Sequence, residues 1–137
     1  MSNSTRCLYN RTLEGFCLES SDSISGKICG RYNGNLTAPA IEAWNEEISV
    51  MKQVLSPYRE EQGEILFEYD IPRLGKRIDV VLLLKGIVFC LEFKTGESDR
   101  PESAIDQVLD YALDLKNFHK YSQSRLSAPI LLLFQFE

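Results

Sequence analysis

The chain has 137 residues, of which 44% are hydrophobic and 26% charged, enough for one domain with a core of its own. Twenty acidic against fifteen basic residues leave a net charge of −5, which excludes a protein that grips nucleic acid with its whole surface and confines any such contact to a local patch. No apolar run reaches the roughly 18 residues of a membrane span. The opening Met-Ser-Asn-Ser-Thr lacks the charged and apolar regions of a signal peptide, so a cytoplasmic protein without membrane contact is expected.

Cysteines at 7, 17, 29 and 90 show no Cys-x-x-Cys spacing, and His119 is the only histidine. Neither a zinc site nor, in a reducing compartment, a disulfide is expected. Cys90 reads as a small core hydrophobe.

Residues 1–37, rich in Ser, Asn and Gly with scattered apolar positions, read as an irregular or weakly helical lead-in without assigned function. The core domain is expected over 38–137. It opens with a helix: Thr37 can cap it, Pro39 suits its first turn, and Ile41, Trp44, Ile48, Met51 and Leu55 recur every three or four residues until Pro57. At about 100° per residue, Glu42 and Glu46 point away from this stripe and Glu47 lies on its flank. Glu47 is either a solvated helix glutamate or the helix acid best placed to look into a site.

Glu64 to Ile71 follow as a strand, with Ile65, Phe67 and Tyr69 on one face and Leu66, Glu68 and Asp70 on the other, ended by Pro72. Glu68 either adds a carboxylate to the acids that follow or, on an outer strand, is a surface residue. The turn beyond supplies Arg73, Lys76 and Arg77, three positive charges near the acids that come next; they suit a phosphate backbone or form a solvated turn.

Residues 77–94 read as two apolar strands joined at Lys85-Gly86, a two-residue hairpin in which Gly86 supplies positive φ. Leu84 then faces Ile87, and Asp79 faces Glu92. Alternation places Asp79, Val81 and Leu83 with Val88, Cys90, Glu92 and Lys94 on one face, and leaves the other wholly apolar, so both faces should be covered. Two opposed carboxylates in such strands are costly even when exposed and more so when buried. A divalent cation between them, beside Lys94, turns that cost into a site.

After a polar loop over 95–100, Pro101 and Glu102 open a second helix with Ala104, Ile105, Val108, Leu109, Ala112 and Leu115 as its stripe and Gln107 and Tyr111 on its flank. Residues 119–128 read as a polar loop containing His119. Pro129 to Phe136 read as a final apolar strand which, following a helix, should pair in parallel.

This order, α-β-β-β-α-β, with Asp79, Glu92-Phe93-Lys94 and Gln107-x-x-x-Tyr111 at its sheet and crossover, resembles the core of the restriction-endonuclease-like, or PD-(D/E)XK, nuclease superfamily over about residues 38–136. The resemblance implies an α/β fold with a mixed four-stranded sheet flanked by helices. The Glu-x-Lys half matches fully, whereas Asp79 stands in an Arg-Ile-Asp-Val context instead of after proline. The stretches 68–79 and 110–119 are similar to the N-terminal nuclease-like domain of bacterial helicase or ATPase fusion proteins. No Gly-x-x-x-x-Gly-Lys-Ser/Thr phosphate loop occurs here, so the chain is expected to be a separate small protein, in a phage, repair or defence setting, or a piece of a longer one.

By that resemblance Asp79, Glu92 and the Phe93 carbonyl would ligate Mg²⁺ or Mn²⁺, with Glu47 completing the shell directly or through water. Lys94 would orient or deprotonate the attacking water, and Gln107 and Tyr111 would position the lysine, the water or the scissile phosphate. The implied activity is metal-dependent hydrolysis of phosphodiester bonds in DNA, with a helicase, an ATPase or a second copy of the chain as further partners. The alternative is a catalytically silent nuclease-like fold that binds protein or nucleic acid, and a weaker third reading is a helicase-associated DNA-binding domain.

Overall fold

Apolar spacing changes along the chain from three-to-four residues to two, and the backbone changes with it from helix to sheet. The computed structural model describes residues 6–71, 75–93 and 126–127. Its elements are β1 (Tyr9–Thr12), α1 (Leu13–Leu18), α2 (Ser21–Arg31), α3 (Ala38–Leu55), a 3-10 turn (Ser56–Tyr58), β2 (Gly63–Ile71), β3 (Lys76–Leu84), β4 (Ile87–Leu91) and β5 (Leu126–Ser127). The strands form one sheet in the order β1-β2-β3-β4-β5. The first four are antiparallel to their neighbours, and β5 runs parallel to β4. No helix among the described residues is long and apolar enough to cross a membrane.

Helix α3 forms as its spacing predicts. The Thr37 hydroxyl accepts from the Ala40 amide at 3.3 Å, Pro39 lies in the first turn, and Trp44, Ile48, Met51 and Leu55 are buried. They pack with Val80, Leu82, Leu84 and Leu91 of β3 and β4 in one core cluster. A second cluster, Leu66, Tyr69, Ile78, Val81, Leu83, Val88 and Cys90 with Cys7, lies across the sheet, so both faces of the hairpin are buried. The hairpin has the expected register, Leu84 opposite Ile87 through Val80 opposite Leu91. Its turn residues Lys85 and Gly86 have φ of 55° and 77°, the left-handed pair of a type I′ connection.

Residues 6–37 are more ordered than the expected irregular or weakly helical lead-in, whose helical part they show. They contain β1, α1 and α2, with the Thr12 and Ser20 hydroxyls capping the two helices at 3.1 Å each. Leu13, Phe16, Ile24 and Ile28 are fully buried in the first cluster. Each such side chain contributes on the order of 1.5–3 kcal/mol of burial. Elements of four, six and eleven residues are too short for their periodicity to stand out from a Ser- and Gly-rich background, and it is contact with β2 and α3 that stabilises them. Because β1 pairs with β2, the sheet has five strands among the described residues, where four were expected, and β2 is an inner strand.

β5 has the parallel sense expected of a final strand, but pairing occurs already at Leu126 and Ser127, opposite Ile87 and Val88, within the stretch read as a polar loop. The expected strand over 129–136 and the expected helix carrying Gln107 and Tyr111 lie outside the described residues.

Candidate functional site

The strands β2 and β3 share an irregularity that their sequence pattern hides. In a regular strand Phe67 and Tyr69 would face the same way, as would Val80 and Ile78. Instead Phe67 and Val80 belong to the α3-side cluster, whereas Tyr69 and Ile78 belong to the opposite one. Between them stand Glu68 and Asp79. Glu68 has φ of 57°, a left-handed conformation that a non-glycine residue rarely adopts inside a strand. The face of the sheet therefore inverts at these two acids.

The inversion brings both acids into the field of Glu47. This α3 residue is only 5% exposed, and its Oε1 is buried with no hydrogen-bond partner among the described residues. Burial, and then the negative charges of Asp79, Glu68 and Glu92, push the Glu47 carboxyl up to about 9 from the ordinary 4.5. Glu68 is half-buried and is raised to about 7, first by burial and then by Asp79; a hydrogen bond with the Trp44 indole and the charge of Arg77 oppose the rise.

The expected Asp79–Glu92 pair is not formed as a ladder pair. β4 ends at Leu91, and the half-buried Asp79 accepts the Phe93 amide on Oδ2 at 2.8 Å. That bond fixes the backbone at residues 92–93, where the second acid and the expected carbonyl ligand lie. Glu92, half-buried, raises both Glu47 and the buried Cys90 thiol, the latter to about 12 with burial as the larger cause. The predicted placement of Asp79 with Val81, Leu83 and Cys90 is corrected: its charge is felt by Glu47 and Glu68, on the α3 side, because the strand inverts at that residue.

Four carboxylates thus share one field: Glu47, Glu92, Asp79 from the inverted position, and Glu68, for which the sequence offers both a cluster and a surface reading. Its signal in the sequence is a charged residue flanked directly by Phe67 and Tyr69. No group of three or more His, Cys, Asp or Glu side chains among the described residues is gathered closely enough to hold a metal ion as it stands. Lys94, Gln107, Tyr111 and Arg73 lie outside the described residues, as does the side chain of Lys76; Arg77 is half-exposed beside Glu68. A larger concavity of about 630 Å³ lies at the Lys85–Gly86 end of the hairpin, away from the acids.

No family model, no curated protein and no solved structure matches the chain.

Proposed function

We propose that the protein is a Mg²⁺- or Mn²⁺-dependent nuclease that hydrolyses phosphodiester bonds in DNA, built on a restriction-endonuclease-like core. The observation that carries the reading is the buried, unpartnered Oε1 of Glu47 facing the negative field of Asp79, Glu68 and Glu92. A chain that gains nothing else from such an arrangement would replace Glu47 with an apolar residue, since an uncompensated buried acid is costly. All the donors are hard oxygens, the set that suits Mg²⁺ or Mn²⁺ and not a soft metal.

In this reading Asp79 and Glu92 would hold the cation with the Phe93 carbonyl, and Glu47 would complete the shell directly or through water. The cation supplies Lewis acidity toward a phosphoryl oxygen. Asp79 also holds the Phe93 amide, which orients the Glu92–Phe93 backbone. Lys94, two residues after Glu92, would orient or deprotonate the attacking water and stabilise the negative charge on the phosphate, and Gln107 and Tyr111 would position these groups.

Cleavage of a supercoiled plasmid with Mg²⁺ or Mn²⁺ tests the reading. Asp79→Asn, Glu92→Gln and Lys94→Ala are each expected to lower the rate about 10²-fold or more. Cleavage by all three variants at the rate of the unaltered chain would sink it, and a wholly inactive protein that still binds DNA or another protein would point to the silent binding module.

A further inference from the structure

Beside the acids lies a concavity of about 290 Å³, lined by Arg6, Arg31, Asn33, Glu68, Asp70 and Arg77 among others. Its three guanidinium groups come from three elements far apart in sequence: the segment before β1, the last turn of α2, and β3. Two of those elements belong to the N-terminal segment. Glu68, at the point where the strands invert, is a wall of this concavity and also a member of the acidic cluster.

We propose that this concavity is a subsite for a backbone phosphate of a nucleic-acid strand, adjoining the position at which the acidic cluster would act. The proposal rests on the nuclease reading for its neighbour, and on the arginines for itself. Arginine presents a planar fork that matches phosphate oxygens in pairs, and three of them around one hollow outnumber its two carboxylates.

The frame of the hollow is held before any ligand arrives. The Arg6 carbonyl accepts the Asp70 amide at 2.6 Å, and its side chain hydrogen-bonds to Tyr69. Asp70 and Arg77 are register partners across β2 and β3. Arg31 is exposed and, among the described residues, donates one long bond of 3.4 Å, to the Leu8 carbonyl. Neither Arg31 nor Arg77 has an ion pair among the described residues, whereas the exposed Arg11 and Lys27 are both committed to Glu19. An acidic peptide offers the same charge, but a strand whose neighbouring phosphate is the one hydrolysed explains why the hollow and the acids share Glu68. It also gives the N-terminal segment a role in recognition in addition to its role in the core.

The test is fluorescence anisotropy of the full chain with a labelled 12-nucleotide single strand and the matching duplex, in EDTA so that no cleavage occurs. Arg31→Ala and Arg77→Ala are each expected to weaken binding about 3- to 10-fold and to lower the slope of log K against log salt by about one. Arg31→Lys should recover part of the affinity. Arg59→Ala, an equal loss of charge at an exposed position outside the hollow, should bind as the unaltered chain does. The proposal is overturned if Arg31→Ala and Arg77→Ala behave like Arg59→Ala, if no oligonucleotide binds, or if AMP displaces the strand at equal phosphate concentration. Arginine-dependent binding without plasmid cleavage would remove the nuclease reading alone. Cleavage that is indifferent to the arginines would remove the subsite alone.

Discussion

Two acids in this protein, the partly buried Glu19 and the buried Glu47, have opposite surroundings. The Glu19 side chain is 6% exposed and collects four donors: the Tyr9 hydroxyl at 2.7 Å, Arg11 at 2.8 Å, the Ser23 hydroxyl at 2.6 Å and Lys27 at 2.7 Å. Burial acts to raise its carboxyl, yet these partners overcome it and hold the group at about 2. Glu47 has three like charges in its field and is pushed up to about 9. The first acid ties β1, α1 and α2 together as any structural acid can. The second is opposed by its surroundings, and it is the group on which the proposed nuclease function rests.

The contrast has consequences for stability that can break it. Replacing Glu19 with Ala should have the largest effect, about 2 kcal/mol lost at pH 7 in urea unfolding, because four bonds to a charged group disappear together. Its folded value lies below the ordinary 4.5, so the stability it contributes is present above pH 4.5 and is lost as pH falls toward 2. The deficit of the variant should shrink over that window, and a deficit independent of pH would show that packing, not charge, is responsible.

Glu47→Gln should act in the opposite direction. A carboxyl raised from 4.5 to about 9 favours folding most when protonated, below pH 4.5, and loses that contribution as pH rises toward 9. In metal-free buffer the variant should match the unaltered chain near pH 4.5 and exceed it by about 1–2 kcal/mol at pH 8. Added Mg²⁺ should narrow the gap by stabilising the chain that retains Glu47 more than the variant. A variant less stable than its parent at pH 8 would place Glu47 with Glu19 as a structural acid.

Glu68→Gly should have the smallest effect, a gain of about 0.5 kcal/mol in metal-free thermal unfolding. Glycine accepts φ of 57° without the cost an L side chain carries, and the like charge beside Asp79 disappears, while the bond to Trp44 and some unfolded-state entropy are given up. A clear loss of stability would mean that the Trp44 bond outweighs the backbone conformation.

Hydrophobic spacing and turn chemistry made much of the described fold legible. Thr37, Pro39 and the Trp44–Leu55 stripe specify α3 by local rules, and Lys85-Gly86 specifies the hairpin register because a two-residue connection allows few alternatives. The flank position of Glu47 followed from helix geometry alone. Short elements were not legible: β1, α1 and α2 exist because Leu13, Phe16 and Ile28 find partners distant in sequence, and the Tyr9, Phe16 and Phe67 rings lie 5.8 to 6.3 Å apart.

Residue order alone therefore specifies the helix, the hairpin and a set of acids close enough to need an explanation. Tertiary structure alone decided which side those acids occupy. Strict alternation is a property of a regular strand, and here β2 departs from it at Glu68 as β3 does opposite, where α3 packs and the Trp44 indole bonds the acid. The change of face at these two positions accompanies the left-handed Glu68, and the charges of Asp79 and Glu68 both act on Glu47. No pattern of residue types records that, because it arises from the contact between a helix and a sheet that are separate in sequence.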